Sequence, residues 1–444
     1  MTALHRYEPW LVLLAGPPLV LREWFPWPVQ VAALAWIGVL WAARRLATGR
    51  WSHRTVLDAP ILALLVTVPG AVGAAVDADA GLSRALSLGF AVALYYAVAN
   101  AMTTPARVWS AATWLMVAGL GLGAVGLVSV SWLEKFPALT PVLSRLPRLV
   151  TALPHPTLAS AGVHPNTLGA LLAIFVPLAI ACAFWPAGED AGDGLDERPR
   201  WIRPVAVASL AALLPLLALT QSRGAWLGLA GALVLFGAVR STTVRLLVAA
   251  GALAAVLMAL GLGQEVLSSL TVCAPSAPQG APNFWLFAGG RLDLWCQVIG
   301  LVGEHPLTGV GLNNFILVHG QRPEYGGFYV YQGAPHAHNT LLQSAVDYGL
   351  PGLVAVAGMY AALAWAARRA HQRLAGHALD AVALGATFGL VVYALHGLVD
   401  TVAIGAKPGF VVWAFAGVLA GIRAHAHRWT PDAPRATPER GIVS

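Results

Sequence analysis

His336 and His338 stand one residue apart in Pro335-His336-Ala337-His338-Asn339, a short polar run directly before an apolar segment. Imidazole is the side chain best suited to take a proton from a hydroxyl near neutral pH, because its charge changes between about pH 5 and 8. Three chemistries are open to such a pair. If the segment is extended, both rings share a side and can hold a divalent metal, although no third Cys, His or carboxylate stands nearby in the sequence. Either ring can instead serve as a hydrogen-bonded element at a helix start. In the third reading one ring is a general base toward an attacking hydroxyl, Asn339 fixes a ring or contacts the ligand, and Thr340 caps the following helix.

Arginines supply the second element. Arg223 lies in Thr220-Gln221-Ser222-Arg223-Gly224-Ala225-Trp226, a turn between apolar segments too short to let it leave the protein. Arg291 follows Gly289-Gly290 at the head of an amphipathic stretch in which Leu292, Trp295, Ile299 and Val302 recur at helical spacing. A guanidinium presents paired donors that match an oxyanion, so the two together form a two-pronged anion site. Arg145, Arg148 and Arg322 are weaker candidates of the same kind, and each of these arginines can also simply anchor an interface or be solvated. His164-Pro165-Asn166 opens an apolar segment as helix-entry residues, with Asn166 also a weaker candidate for a ligand contact. Of three cysteines, Cys182 falls inside an apolar segment, while Cys273 and Cys296 share one long loop and are candidates for a disulfide.

The elements that must position these groups follow from composition. The chain is 58% hydrophobic and only 11% charged, against about 45–50% and about 25% in soluble domains. It is a polytopic membrane protein. Its net charge of +7 reflects arginines flanking the spans and does not point to nucleic acid. Twelve segments are long and apolar enough to cross a bilayer: 10–21, 27–43, 59–76, 82–101, 107–132, 164–185, 203–220, 224–240, 243–262, 342–367, 379–398 and 408–424. The expected fold is therefore all-α, with a helical and coil insertion between the ninth and tenth spans. Residues 1–262 form the first nine spans, 263–341 the loop domain with the histidines, and 342–444 the last three spans and a tail. Within the loop, 272–283 reads as coil and Gly326–Tyr331 as an aromatic flap.

Most Lys and Arg fall on connections that share one side with both termini, which the positive-inside rule makes cytoplasmic. The insertion, Arg223, Arg291, His336, His338 and the His164 step all fall on the opposite, extracytoplasmic face. Asp347 and Asp400 lie near span ends, away from the midplane positions at which secondary transporters couple ions.

Four motifs give the chain a resemblance to the bacterial superfamily of O-antigen ligases, O-antigen polymerases and O-oligosaccharyltransferases. They are His164-Pro165-Asn166-Thr167-Leu168-Gly169-Ala170, Ser222-Arg223-Gly224-Ala225-Trp226, Gly290-Arg291 with Trp295 through His305-Pro306-Leu307-Thr308-Gly309-Val310-Gly311, and His338-Asn339-Thr340-Leu341-Leu342-Gln343 with Gly349-Leu350. The resemblance implies a transferase of the inner membrane with its site toward the periplasm. Such a ligase moves a polysaccharide from undecaprenyl pyrophosphate to a sugar hydroxyl of lipid A–core, among membrane lipids and with neither metal nor other cofactor. The family pattern has one histidine before Asn, so it selects His338 as the catalytic residue over His336, and it makes Arg223 and Arg291 the pyrophosphate ligands. A polymerase acting on a second lipid-linked glycan is the alternative within the superfamily, and a secondary transporter the alternative outside it.

Overall fold

In hydrocarbon every backbone N–H and C=O must be paired within its own segment, so apolar stretches of this length fold as helices. The computed structural model describes residues 2–130, 132, 140–143, 164–184, 198–261, 291–322 and 334–429. Helices stand at all twelve expected segments, and no strand occurs among the described residues. They are α1 (Thr2–Leu13) with α2 (Gly16–Val20), α3 (Trp27–Thr48), α4 (Asp58–Gly73), α5 (Ala78–Ala101), α6 (Pro105–Ser129), α7 (Pro165–Phe184), α8 (Ile202–Leu219), α9 (Arg223–Arg240) and α10 (Thr242–Gly261). The insertion supplies α11 (Arg291–Glu304) and α12 (Phe315–Gly320), and α13 (Thr340–Leu374), α14 (Asp380–His396) and α15 (Phe410–His425) follow. Seven of these helices are long and apolar enough to cross a membrane, and α4, α9, α10 and α14 are shorter apolar helices.

Two boundaries differ from the sequence reading. The first segment is already helical from Thr2 and breaks at Leu14–Ala15, ahead of Pro17 and Pro18. The tenth is interrupted at Gly349, whose backbone has φ 75° and ψ −177°.

Helix α7 is the central post, with buried residues along nearly its whole length. It lies against α14 because that helix presents glycine where backbone meets backbone. A Cβ on Gly385 would stand 2.7 Å from the Leu178 Cα, and one on Gly389 would stand 2.5 Å from the Ile174 carbonyl. Small residues permit this approach where no hydrophobic force draws helices together in lipid. The close fit fixes the end of α14, and hence the turn that follows it.

The insertion is bound into the bundle through the break in α13. At Gly349 the regular bond from Leu350 N–H to the Val346 carbonyl is lost, which would orphan two buried groups. Both find partners in one incoming segment. Leu350 N–H donates to the Pro306 carbonyl at 2.7 Å, and the Val346 carbonyl accepts from Val310 N–H at 2.8 Å. Helix α11 then packs over this junction with Leu294, Val298, Leu301 and Val302, against Phe315, Ala334, Ala337 and Val346. Its buried stripe is thus rotated from the expected one: Ile299 is exposed and Trp295 half-buried. His319 ties the same unit together, accepting from Ala334 N–H at 3.1 Å and pairing with Gln297 at 2.6 Å.

Segments expected on the extracytoplasmic face meet at one end of the bundle. Arg22 pairs with Asp79 at 2.7 Å, Lys407 pairs with Glu23, and Asn314 Oδ1 accepts from Asp77 N–H at 2.6 Å. The expected coil 272–283, the flap Gly326–Tyr331, Cys273, Arg145 and Arg148 lie outside the described residues. Cys296 is disulfide-bonded, and Cys182 is free and buried.

Gly309 and Gly349 test the junction. Gly309 has φ 65°, and a Cβ there would stand 2.2 Å from the Val346 carbonyl; one on Gly349 would stand 2.4 Å from the Leu307 carbonyl. Gly309→Ala and Gly349→Ala are each expected to destabilise the protein by at least about 1–3 kcal/mol. Gly38→Ala, which meets nothing within 4 Å, should leave the melting temperature of detergent-solubilised protein unchanged or slightly raised.

Candidate active site

The segment before α13 is held in an unusual shape. His338 has a left-handed backbone (φ 49°) and is one of three non-glycine residues with positive φ among those described, with Gln221 (φ 52°) and Asn313 (φ 58°). Each of the three sits in or beside a segment singled out by its sequence. A residue held in such a region costs about 1–3 kcal/mol and persists only where its surroundings enforce it. Here the surroundings are a set of hydrogen bonds. Trp295 Nε1 donates to the Ala337 carbonyl at 3.0 Å, and Ala337 N–H donates to Gln343 Oε1 at 2.7 Å. Thr340 N–H donates to the Gly397 carbonyl at 2.7 Å, and Asn339 Nδ2 to the Leu398 carbonyl at 3.2 Å. The cap of α13 is Asn339, whose Oδ1 accepts from Leu341 and Leu342 N–H at 3.0 and 3.1 Å. Thr340, expected as the cap, is buried and pairs with Thr401 at 3.0 Å.

Stitching 337–340 to 397–401 delivers Asp400 to the histidines across 62 residues of sequence. His338 Nδ1 is 2.9 Å from Asp400 Oδ1, and His336 Nε2 is 3.8 Å from the same oxygen. The left-handed turn keeps both rings on one side, with centroids 4.1 Å apart, where an extended strand was expected to do so. Asn166 Nδ2 donates to Asp400 Oδ2 at 3.0 Å, and Thr401 N–H donates to Oδ1 at 2.9 Å. Asn166 reaches there because Pro165 starts α7 and aims the first turn at this carboxylate.

The charges follow from these contacts. Burial alone would raise the Asp400 carboxyl, but the hydrogen bond from His338 and the neighbouring imidazoles outweigh it and hold the group below the usual carboxylate range. Burial, reinforced by the adjacent His338, pushes His336 down to about 3, so that ring is neutral. A carboxylate at Nδ1 fixes the His338 tautomer with its proton on that nitrogen. Nε2 is then the atom that can accept a proton, and Asp400 stabilises the imidazolium as it forms.

The arginines stand at two helix starts. Arg223 is exposed at the first position of α9, whose N-cap Ser222 accepts from Ala225 N–H at 3.4 Å, and Arg291 is half-buried at the first position of α11. Both starts face the end of α14. A Cβ on Gly224 would lie 3.3 Å from Val399 and 3.4 Å from His396, and Arg291 is in electrostatic reach of the His396 ring. Each start adds a positive helix end to its guanidinium. Arg322 is engaged elsewhere, in a pair with Glu304 at 2.5 Å.

Sequence reasoning passed over two residues. Asp400 appeared only as a carboxylate near a span end, and the His-X-His pair was judged to have no third ligand. The structure corrects this: ligand atoms of His336, His338 and Asp400 all lie within 4.8 Å of one another, a set that can take a zinc-like ion. His396 was read only as part of a span. It is buried, neither ring nitrogen has a hydrogen-bond partner among the described residues, and it lies in electrostatic reach of Asp400, Arg291 and His338. The spacing His396-X-X-X-Asp400, which places both on one side of a helical turn, was the available signal.

Residues 208–357 match the O-antigen ligase family. No curated protein matches the chain. The matched stretch contains Arg223, Arg291, His336 and His338, while Asn166, His396 and Asp400 come from outside it.

Acid should loosen this site in two stages. His336 binds a proton below its unperturbed 6.5 when unfolded but only near 3 when folded. Its contribution to stability is therefore full above pH 6.5 and lost as pH falls toward 3. Asp400, also depressed when folded, contributes above its unperturbed 3.8 and loses that contribution only below it. The melting temperature should fall between pH 6.5 and about 4, and His336→Asn should lessen that fall.

Proposed function

We propose, from a chain whose residues 208–357 match the O-antigen ligase family, that this protein is an O-antigen ligase. It transfers a polysaccharide from undecaprenyl pyrophosphate to a sugar hydroxyl of lipid A–core at the periplasmic face of the inner membrane, with both termini in the cytoplasm. The observation that carries the reading is the part-buried 2.9 Å contact between His338 Nδ1 and Asp400, which leaves Nε2 as a base, in a site where two arginine-headed helix starts face His396.

The acceptor hydroxyl attacks the anomeric carbon of the donor. A glycosidic bond forms, the bond from that carbon to the phosphate oxygen breaks, and the hydroxyl proton passes to His338 Nε2. Undecaprenyl pyrophosphate leaves with the bonding electrons, and Arg223, Arg291 and the amides at the starts of α9 and α11 stabilise its charge. Developing charge on a leaving pyrophosphate is thereby met by fixed cations, so the step has no need of a divalent ion or other cofactor. The arginine-rich loops at the other end of the bundle support the proposed orientation.

The three-ligand set supports a second reading, in which a bound zinc-like ion polarises the acceptor. Chelation separates the two: EDTA should leave transfer intact, whereas loss with EDTA and rescue by one divalent metal would establish the metal reading.

The main test is the lipopolysaccharide gel profile of a ligase-deficient host with an intact polymerase and compatible core. Wild-type protein should restore the ladder. His338→Ala and Asp400→Asn should each lower transfer by about 10²- to 10⁴-fold at normal membrane levels. Arg223→Ala and Arg291→Ala should lose turnover with the fold retained, and normal ladders from both would overturn the pyrophosphate site.

A further inference from the structure

Beside His336 lies a cavity of about 170 Å³. Arg84, Thr167, Asn313, His336, Phe315 and Thr401 line it, so it opens directly beside the Asp400 cluster. Four distant parts of the chain meet there: α5, the first turn of α7, the insertion, and the loop after Asp400. Its lining mixes hydroxyl, amide and imidazole groups with the ring of Phe315 and the apolar Ile316 and Pro335. That combination suits a pyranose, which offers hydroxyls at its edge and C–H groups on its face.

Charge decides what kind of ring. Arg84 stands 3.9 Å from the buried Asp347 carboxylate and donates through Nη2 to Asn313 Oδ1. A carboxylate thus stands near the cation, unlike what a pyrophosphate site requires. Asn313, its amide oxygen held by Arg84, lines the cavity. Asn313 also carries one of the three left-handed backbones, and it is exposed. A short polar side chain held in a strained turn and aimed by a partly buried arginine is a feature of a binding position.

We propose that this cavity is the acceptor subsite, which holds an uncharged sugar ring of the acceptor glycan and presents its hydroxyl to His338. The assignment rests on the transferase reading above and deepens it. It gives the site two sides: an oxyanion side at Arg223 and Arg291, and a neutral hydroxyl-binding side at Arg84 and Asn313.

The test is steady-state transfer by purified full-length protein, with undecaprenyl-pyrophosphate glycan as donor and rough lipopolysaccharide as acceptor. Asn313→Gly removes the amide while keeping a residue that tolerates positive φ. It should raise the acceptor KM about tenfold with kcat and donor KM unchanged. Ile316 is 40% exposed, so Ile316→Trp fills the cavity from its open side without disturbing the core, and it should do the same. An unchanged acceptor KM in both variants, with normal melting temperatures, would overturn the subsite, as would a rise in donor KM alone. If wild-type protein transfers to a second lipid-linked glycan and never to lipopolysaccharide, the ligase reading falls. The subsite is then judged by the same KM shift measured against that glycan.

Discussion

A carboxylate removed from water must be paired, and the environment of Asp400 is built around that requirement. It accepts from His338 Nδ1, from Asn166 Nδ2 and from Thr401 N–H, with His336 and His396 in electrostatic reach. Each partner comes from a different part of the chain: the segment before α13, the start of α7, the loop after α14. Leaving a buried acceptor unsatisfied costs about 1–3 kcal/mol, and more when it is charged. The carboxylate therefore favours one arrangement of these elements over others that would strand it. The same contact that orders the fold also selects the His338 tautomer, so the stability of the site and its chemistry rest on one atom pair.

Bringing the histidines to Asp400 depends in turn on how the insertion is anchored. A loop resting on a bundle would not hold a ring to a few tenths of an ångström. The break at Gly349 solves this by exchanging backbone bonds between α13 and residues 306–310. The insertion becomes part of the helix ladder, and Trp295 can then fix Ala337 between the two histidines. Positive φ at both Gly309 and Gly349 is what lets two backbones approach closely enough for that exchange.

Much of the fold was legible because bilayer thickness writes itself into the sequence as segment length. The helix starting at Arg291 was legible from its period, but its buried face was not. Leu292, Trp295, Ile299 and Val302 fit an amphipathic pattern, while the face that packs is chosen by the junction at Gly349 and by Phe315, neither visible within the helix's own sequence. His338 and the arginines could be read as chemistry because their local contexts are unusual. Asp400 could not, and Asn166 only as a ligand contact: one carboxylate near a span end and one amide after a proline show no link until folding sets them 3.0 Å apart. Local pattern thus points to the groups proposed to act, and tertiary contact to those that position them.

The distribution of charge around Asp400 explains how one site could serve two large glycans without confusing them. In the proposed reaction a leaving pyrophosphate is polyanionic and needs positive charge, the role proposed for two arginines at helix starts. A sugar hydroxyl needs donors and acceptors without net charge, and Arg84 stands 3.9 Å from the Asp347 carboxylate and is tied to Asn313. A pyrophosphate placed beside that pair would meet a carboxylate as well as a cation, and a sugar placed between two arginines would give them no counter-charge. Each substrate is thus disfavoured on the other's side by several kcal/mol of unmet electrostatics.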